Sequence, residues 1–253
     1  GKYGNIEYFC QQKSKRIIYM FQSRQGFFSS IPPVTKNLII INLLFWLAEI
    51  VLPRVGIDLV KYLGLHYFAA SDFNAVQLVT YMFMHDPGSF GHVFFNMFSV
   101  FMFGRTLEMV WGSKRFLIYY LTTGIGAGLV QEVTWFFSLK DAIDATIVQA
   151  GWETTRALLN NVITIGASGA VFGILLAFGM LFPNAELFIM FIPIPVKAKY
   201  FVIFYGIVEL FLGVGNFSGD NIAHFAHLGG MLFGFFLIKY WKKKGFGNGQ
   251  YFW

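Results

Sequence analysis

Six apolar runs, at residues 34–52, 92–110, 116–137, 162–182, 200–214 and 222–241, decide what this chain can become. A helix needs about 20 predominantly apolar residues to cross the hydrocarbon core of a bilayer. In lipid the backbone must satisfy its own N–H and C=O groups, which leaves the helix as the solution for runs of this kind. Breakers stand between them: Pro53 after the first run, Gly112 after the second, Pro183 after the fourth, and Pro193 with Pro195 before the fifth, the shortest. Only 13% of the residues are charged, where a soluble domain carries about a quarter. A cleaved secretory signal does not explain the pattern, because the first run follows some thirty mixed residues and equals follow it. The expected fold class is an all-α membrane protein, a six-transmembrane-helix bundle. A basic leader occupies 1–33, the helical domain 34–241 and a tail 242–253. No internal repeat suggests a duplicated transporter.

The net charge of +6 would suit nucleic acid if the basic residues were clustered on one soluble face, but they alternate with the spans. With the amino terminus inside, one side collects Lys2, Lys13, Lys15, Arg16, Arg24 and Lys36, then Arg105, Lys114 and Arg115, then Lys197 and Lys199, then Lys239 and Lys242 to Lys244. The other side keeps only Arg54, Lys61, Lys140 and Arg156, among many acids. That asymmetry sets both termini in the cytoplasm. The basic ends are expected to meet anionic lipid headgroups, so the bilayer is a partner and nucleic acid is not. The single Cys10 allows no internal disulfide and no cysteine metal site.

Polar side chains inside a span are costly, so each is a candidate site. His92 and Asn96 share a face at the outer end of the second run. Ser168, in Gly166-Ala167-Ser168-Gly169, and His227, in Ala226-His227, lie roughly 8 to 9 Å below the outer ends of the fourth and sixth runs. Gly169 and Gly173 on one run, and Ala226, Gly230 and Gly234 on the other, form small-residue stripes through which helices approach closely in lipid. Packing stripe on stripe would bring the Ser168 hydroxyl to the His227 imidazole, the arrangement that turns a weak nucleophile into an active one. The Asn96 amide, the His92 ring N–H and the Ser168 backbone N–H at a helix start are suitable donors for an oxyanion.

Each element has a plainer reading. Ser beside Gly is common packing in membrane helices, and a lone buried His is often just a hydrogen-bonding residue. His85, His92, His224 and His227 invite a metal, but no His-Glu-x-x-His run is present and the neighbouring acids lie in loops, so neither metal nor cofactor is expected. Glu49, Glu108, Glu132 and Glu209 are assigned to structural pairing or snorkelling. No acid is evidently placed to orient His227, so the expectation is a Ser-His dyad.

These residues resemble the rhomboid family of intramembrane serine proteases. The match runs from about Thr35 to Trp241 and rests on His92-x-x-x-Asn96, Gly166-Ala167-Ser168-Gly169, Ala226-His227-x-x-Gly230-x-x-x-Gly234, and the turn formed by Glu108, Gly112 and Arg115. The resemblance implies a rhomboid-like six-helix fold with Ser168 as nucleophile and His227 as general base. His92, Asn96 and the Ser168 amide would form the oxyanion hole, and Phe172 would stack on the base where many members have Tyr. Val76 and Gln77 stand where members often carry Trp-Arg. The expected reaction is endopeptidase cleavage in or near the outer part of the transmembrane segments of single-pass or multi-pass membrane-protein substrates. Residues 216–221 would cap the site and the fifth span would gate it, and a bacterial inner membrane suits the topology. The alternative is a non-proteolytic rhomboid-fold chaperone that binds client helices; such proteins usually lack the Ser or the His, and this chain has both.

Overall fold

The computed structural model describes residues 30–188, 195–215 and 223–244. Residues 1–29 of the basic leader, Cys10 among them, Pro193, the 216–221 segment, Ile222 and most of the tail fall outside the described residues. The fold is mostly helical. Its elements are α1 (Pro33–Val51), α2 (Leu59–Leu63), β1 (Leu65–His66), α3 (Gln77–Thr80), α4 (Phe90–Ser99), α5 (Arg105–Trp111), α6 (Ser113–Ala150), α7 (Trp152–Leu159), β2 (Ile163–Thr164), α8 (Ser168–Leu181), β3 (Glu186–Phe188), β4 (Pro195–Lys197), α9 (Ala198–Gly215) and α10 (His224–Lys243). A π-helical turn at Val100–Gly104 joins α4 to α5 in one rod. β1 pairs antiparallel with β2, and β3 with β4.

The helices are inside out by the standard of a soluble protein. On α1 the buried residues are Thr35, Leu38, Asn42 and Glu49, while Ile40, Ile41, Leu44, Leu47 and Val51 are exposed. An exposed apolar face this continuous is stable against lipid and not against water. Among the described residues, three stretches, Pro33–Val55, Phe90–Trp111 and Ala198–Gly215, are long and apolar enough to cross a membrane, and Ser168–Leu181 is a shorter apolar helix.

Several boundaries differ from those read in the sequence. The third run, set at 116–137, continues as one helix to Ala150, because residues 138–150 contain no Gly or Pro and the next glycine, Gly151 with a φ of 78°, ends it. At 38 residues it is about 57 Å long, well beyond the roughly 30 Å of a hydrocarbon core. The fourth helix begins at Ser168 rather than at 162: Ile163–Thr164 is a strand, and Gly166 at φ 129° breaks any helix before it. α9 is 18 residues long, extending the short fifth run at both ends. α10 begins at His224, so His227 lies within its first turn.

α10 packs most extensively on α6 and α8. The contact is made by glycine, though not simply stripe on stripe. Gly230 faces the Gly169 carbonyl on α8, but Gly234 faces the Tyr119 hydroxyl of α6, Gly173 faces Thr123 of α6, and Gly169 itself faces Ala127 of α6. The Tyr119 hydroxyl donates to the Gly173 carbonyl at 2.8 Å, so one tyrosine ties three helices where glycines make room.

Buried carboxylates fasten the loops. Glu108 accepts from the amides of Val34 and Thr35 and the hydroxyls of Thr35 and Ser113, at 2.7 to 2.9 Å. It thereby satisfies two orphan N–H groups at the start of α1 and ties them to the Ser113 hydroxyl at the start of α6. Glu49 takes the His85 amide and Glu132 the Phe68 amide. The segment lacking the Trp-Arg pair is held by Gln77: its Oε1 accepts from the amides of His66 and Asn74, and its Nε2 donates to the carbonyls of Tyr62 and Asp72.

Candidate active site

Gly166 sets the geometry. Its amide donates to the Tyr81 carbonyl at 2.9 Å, and its φ of 129° lies in a region essentially closed to side chains. The chain therefore turns sharply before α8, and Ser168 becomes the first residue of that helix. Its backbone N–H is one of the donors left free of helical partners at a positive dipole end.

The Ser168 Oγ lies 2.8 Å from the His227 Nε2. Phe172, one turn along α8, lies flat on the imidazole, with ring centroids 4.3 Å apart and planes 6° from parallel. His227 is buried and Ser168 half-buried, so the hydroxyl is reachable while the ring is held.

His92 approaches from α4. Its Nδ1 accepts the Asp86 amide at 3.3 Å, which leaves the ring proton on Nε2. A Cβ built on Gly166 would sit 2.8 Å from that nitrogen and 3.6 Å from the Ser168 Oγ. The two groups thus flank one small space that only glycine leaves open. Asn96 is buried on the same helix and donates one amide hydrogen to the His92 carbonyl at 2.8 Å, keeping a second to give. His85 packs beside His92 with ring centroids 5.0 Å apart.

One residue of the cluster was read differently in the sequence. Glu209 of α9, assigned there to structural pairing, places its Oε2 2.8 Å from the His227 Nδ1 and 2.6 Å from the His224 Nδ1. An acid does therefore meet the imidazole that carries Ser168. The signal lay in an acid within an otherwise apolar span, which needs a partner, but the helix rotation that chooses the partner is not written in its spacing. Glu209, His224 and His227 offer three buried ligand atoms within 4.8 Å of one another, a His₂Glu set that could hold a divalent ion.

A hydroxyl hydrogen-bonded to an imidazole, beside fixed N–H donors, is the constellation that nucleophilic acyl transfer requires. The rhomboid domain model matches residues 72–244, a stretch that takes in every residue of this cluster. The chain belongs to the rhomboid family. Among its relatives are Rhomboid protein 1, mitochondrial, of Saccharomyces cerevisiae, 28% identical over 174 residues that make up 67% of this chain and 44% of the yeast protein. Rhomboid-like protein 11, chloroplastic, of Arabidopsis thaliana is 26% identical over 219 residues, 78% of this chain and 64% of the plant protein. YdcA of Bacillus subtilis, provisionally named a rhomboid protease, is 29% identical over 163 residues, 64% of each chain. This rhomboid thus spans between about two fifths and two thirds of the length of these relatives. Family membership and the exposed apolar helices together make it an integral membrane protein.

Proposed function

We propose that this rhomboid is an intramembrane serine endopeptidase that cleaves membrane-protein substrates in or near the outer part of their transmembrane segments. Six spans, α1, the α4–α5 rod, α6, α8, α9 and α10, would carry the chain across the bilayer with both termini in the cytoplasm. The observation that carries the reading is the 2.8 Å contact between the Ser168 Oγ and the His227 Nε2, with Phe172 stacked on the ring.

Ser168 attacks the scissile carbonyl while His227 takes its proton. The Nε2–H of His92, the free amide hydrogen of Asn96 and the Ser168 backbone N–H stabilise the oxyanion. Phe172 fixes the plane of the base. A substrate helix hides its carbonyls in its own hydrogen bonds, so it must unwind locally to reach Ser168; segments with Gly, Pro or small polar residues near their outer ends are preferred. Entry is past α9, whose buried residues are only Ala198, Val202 and Glu209. A bacterial inner membrane suits this topology, while relatives named as mitochondrial and chloroplastic make an organelle membrane the other location.

The test is purified protein in detergent with a single-pass model substrate. Cleavage by the wild type, lost in Ser168→Ala and in His227→Ala with folding retained, is the expected result. A serine-reactive fluorophosphonate should label the wild type and not Ser168→Ala. Protein that binds the substrate but neither cuts it nor takes the label would instead be a chaperone of client helices.

A further inference from the structure

Burying a carboxylate in a lipid-facing helix is expensive unless it is paired and hydrogen-bonded. Glu209 is one of three buried residues in the 18 of α9, and among the described residues its hydrogen bonds go to His227 and His224 of α10. Both imidazoles meet the same oxygen, Oε2.

A carboxylate only accepts, so the His227 nitrogen facing it, Nδ1, carries the ring proton. The bare nitrogen is then Nε2, which faces Ser168 at 2.8 Å and accepts its hydroxyl proton. A neutral imidazole without that partner could place its proton on Nε2 and donate to the serine instead, an arrangement that cannot activate it. His224, three residues before His227, holds the same oxygen and restricts the Glu209 rotamer.

We propose that Glu209 is a positioning residue for His227, selecting the tautomer in which Nε2 is a base and stabilising the imidazolium formed during the reaction; this rests on the protease reading of Ser168 and His227. As the Ser168 Oγ bonds to the substrate carbonyl carbon, the hydroxyl proton passes to Nε2 and the carbonyl π pair moves to oxygen. The imidazolium keeps its proton on Nδ1 and donates it in a hydrogen bond to the Glu209 Oε2. When the oxyanion re-forms the carbonyl, the C–N bond breaks and the Nε2 proton leaves on the amine.

The experiment compares wild type, Glu209→Gln and Glu209→Asp for kcat and KM on a single-pass substrate, fluorophosphonate labelling rate and thermal unfolding. The amide of Glu209→Gln can turn its NH2 toward Nδ1 and impose the wrong tautomer. Its kcat should fall about a hundredfold or more with KM within about twofold, labelling should slow in parallel, and Glu209→Asp should recover part of both. Turnover by Glu209→Gln within about threefold of wild type overturns the proposal, as does a loss confined to KM or an aspartate no better than the glutamine. If Glu209→Gln does not fold, the proton spectrum of the histidine-labelled wild type decides: a strongly downfield Nδ1–H resonance from His227 supports the proposal, and its absence overturns it. Chelator treatment should leave the wild-type rate unchanged; a loss restored by zinc would make the cluster a metal site and overturn it. A wild type inert toward both substrate and probe sinks the protease reading itself, whereas an active wild type with an indifferent Glu209→Gln sinks this proposal alone.

Discussion

Gly230 of α10 lies so close to Gly169 of α8 that a Cβ on Gly230 would fall on the Gly169 carbonyl. The obstacle is backbone, which cannot swing aside as a side chain can. This contact sets the separation of the two helices that carry Ser168 and His227.

Gly230→Ala should therefore push α10 off α8. Overpacking of this kind costs about 1–3 kcal/mol, and a displacement of about 1 Å at a reacting pair costs on the order of a hundredfold in rate. Cleavage and fluorophosphonate labelling should both collapse while the protein still unfolds cooperatively in a thermal scan. Wild-type labelling would show that the hydroxyl–imidazole distance does not depend on this glycine.

Gly166→Ala tests the turn before Ser168. The added methyl meets the His92 Nε2 at 2.8 Å on a backbone with φ 129°, a strain of about 1–3 kcal/mol. With His92 displaced, kcat should fall about tenfold or more, toward the loss seen when an oxyanion donor is removed, and KM should change little.

Glu108→Gln tests the fastening of α1 to the α5–α6 turn. Four donors converge on that carboxylate, and an amide leaves at least one of them facing an NH2. Hydrogen bonds to a charged group contribute about 1.5–3 kcal/mol each, so the thermal midpoint should drop by several degrees. Activity per folded molecule should stay near wild type, because Glu108 lies twelve residues beyond the candidate oxyanion donor Asn96 along the α4–α5 rod, roughly 18 Å at helical rise.

The pH dependence of stability should carry the signature of His85. This loop residue is fully buried, the Glu49 carboxylate holds its amide rather than its ring, and its ring packs beside that of His92. Burial, and then the His92 charge, push its imidazole down to about 3 from 6.5. Between those values the unfolded chain binds a proton that the folded chain refuses. Stability from this group is thus complete above about pH 6.5 and is lost as pH falls toward 3, at about 1.4 kcal/mol per unit. His85→Leu should flatten that acid slope in thermal scans between pH 6.5 and 4, relative to wild type.

Much of this architecture was legible in residue order. The long apolar runs demanded helices, because lipid offers the backbone no other hydrogen-bond partner. Glycines at every fourth position marked the faces that approach closely, and Ser168, His92, Asn96, His227 and Phe172 could each be named from local motifs. What packing alone decided was rotation and interruption. α9 is apolar on all sides, so no periodicity states which way Glu209 points; only contact with α10 turns it onto His224 and His227. Ile163 to Ala167 read as more helix until the Gly166 amide was given to Tyr81, a bond between segments 85 residues apart in sequence. Local spacing dictates which side chains share a helix face, but the angle at which one helix meets another is a property of the assembled core.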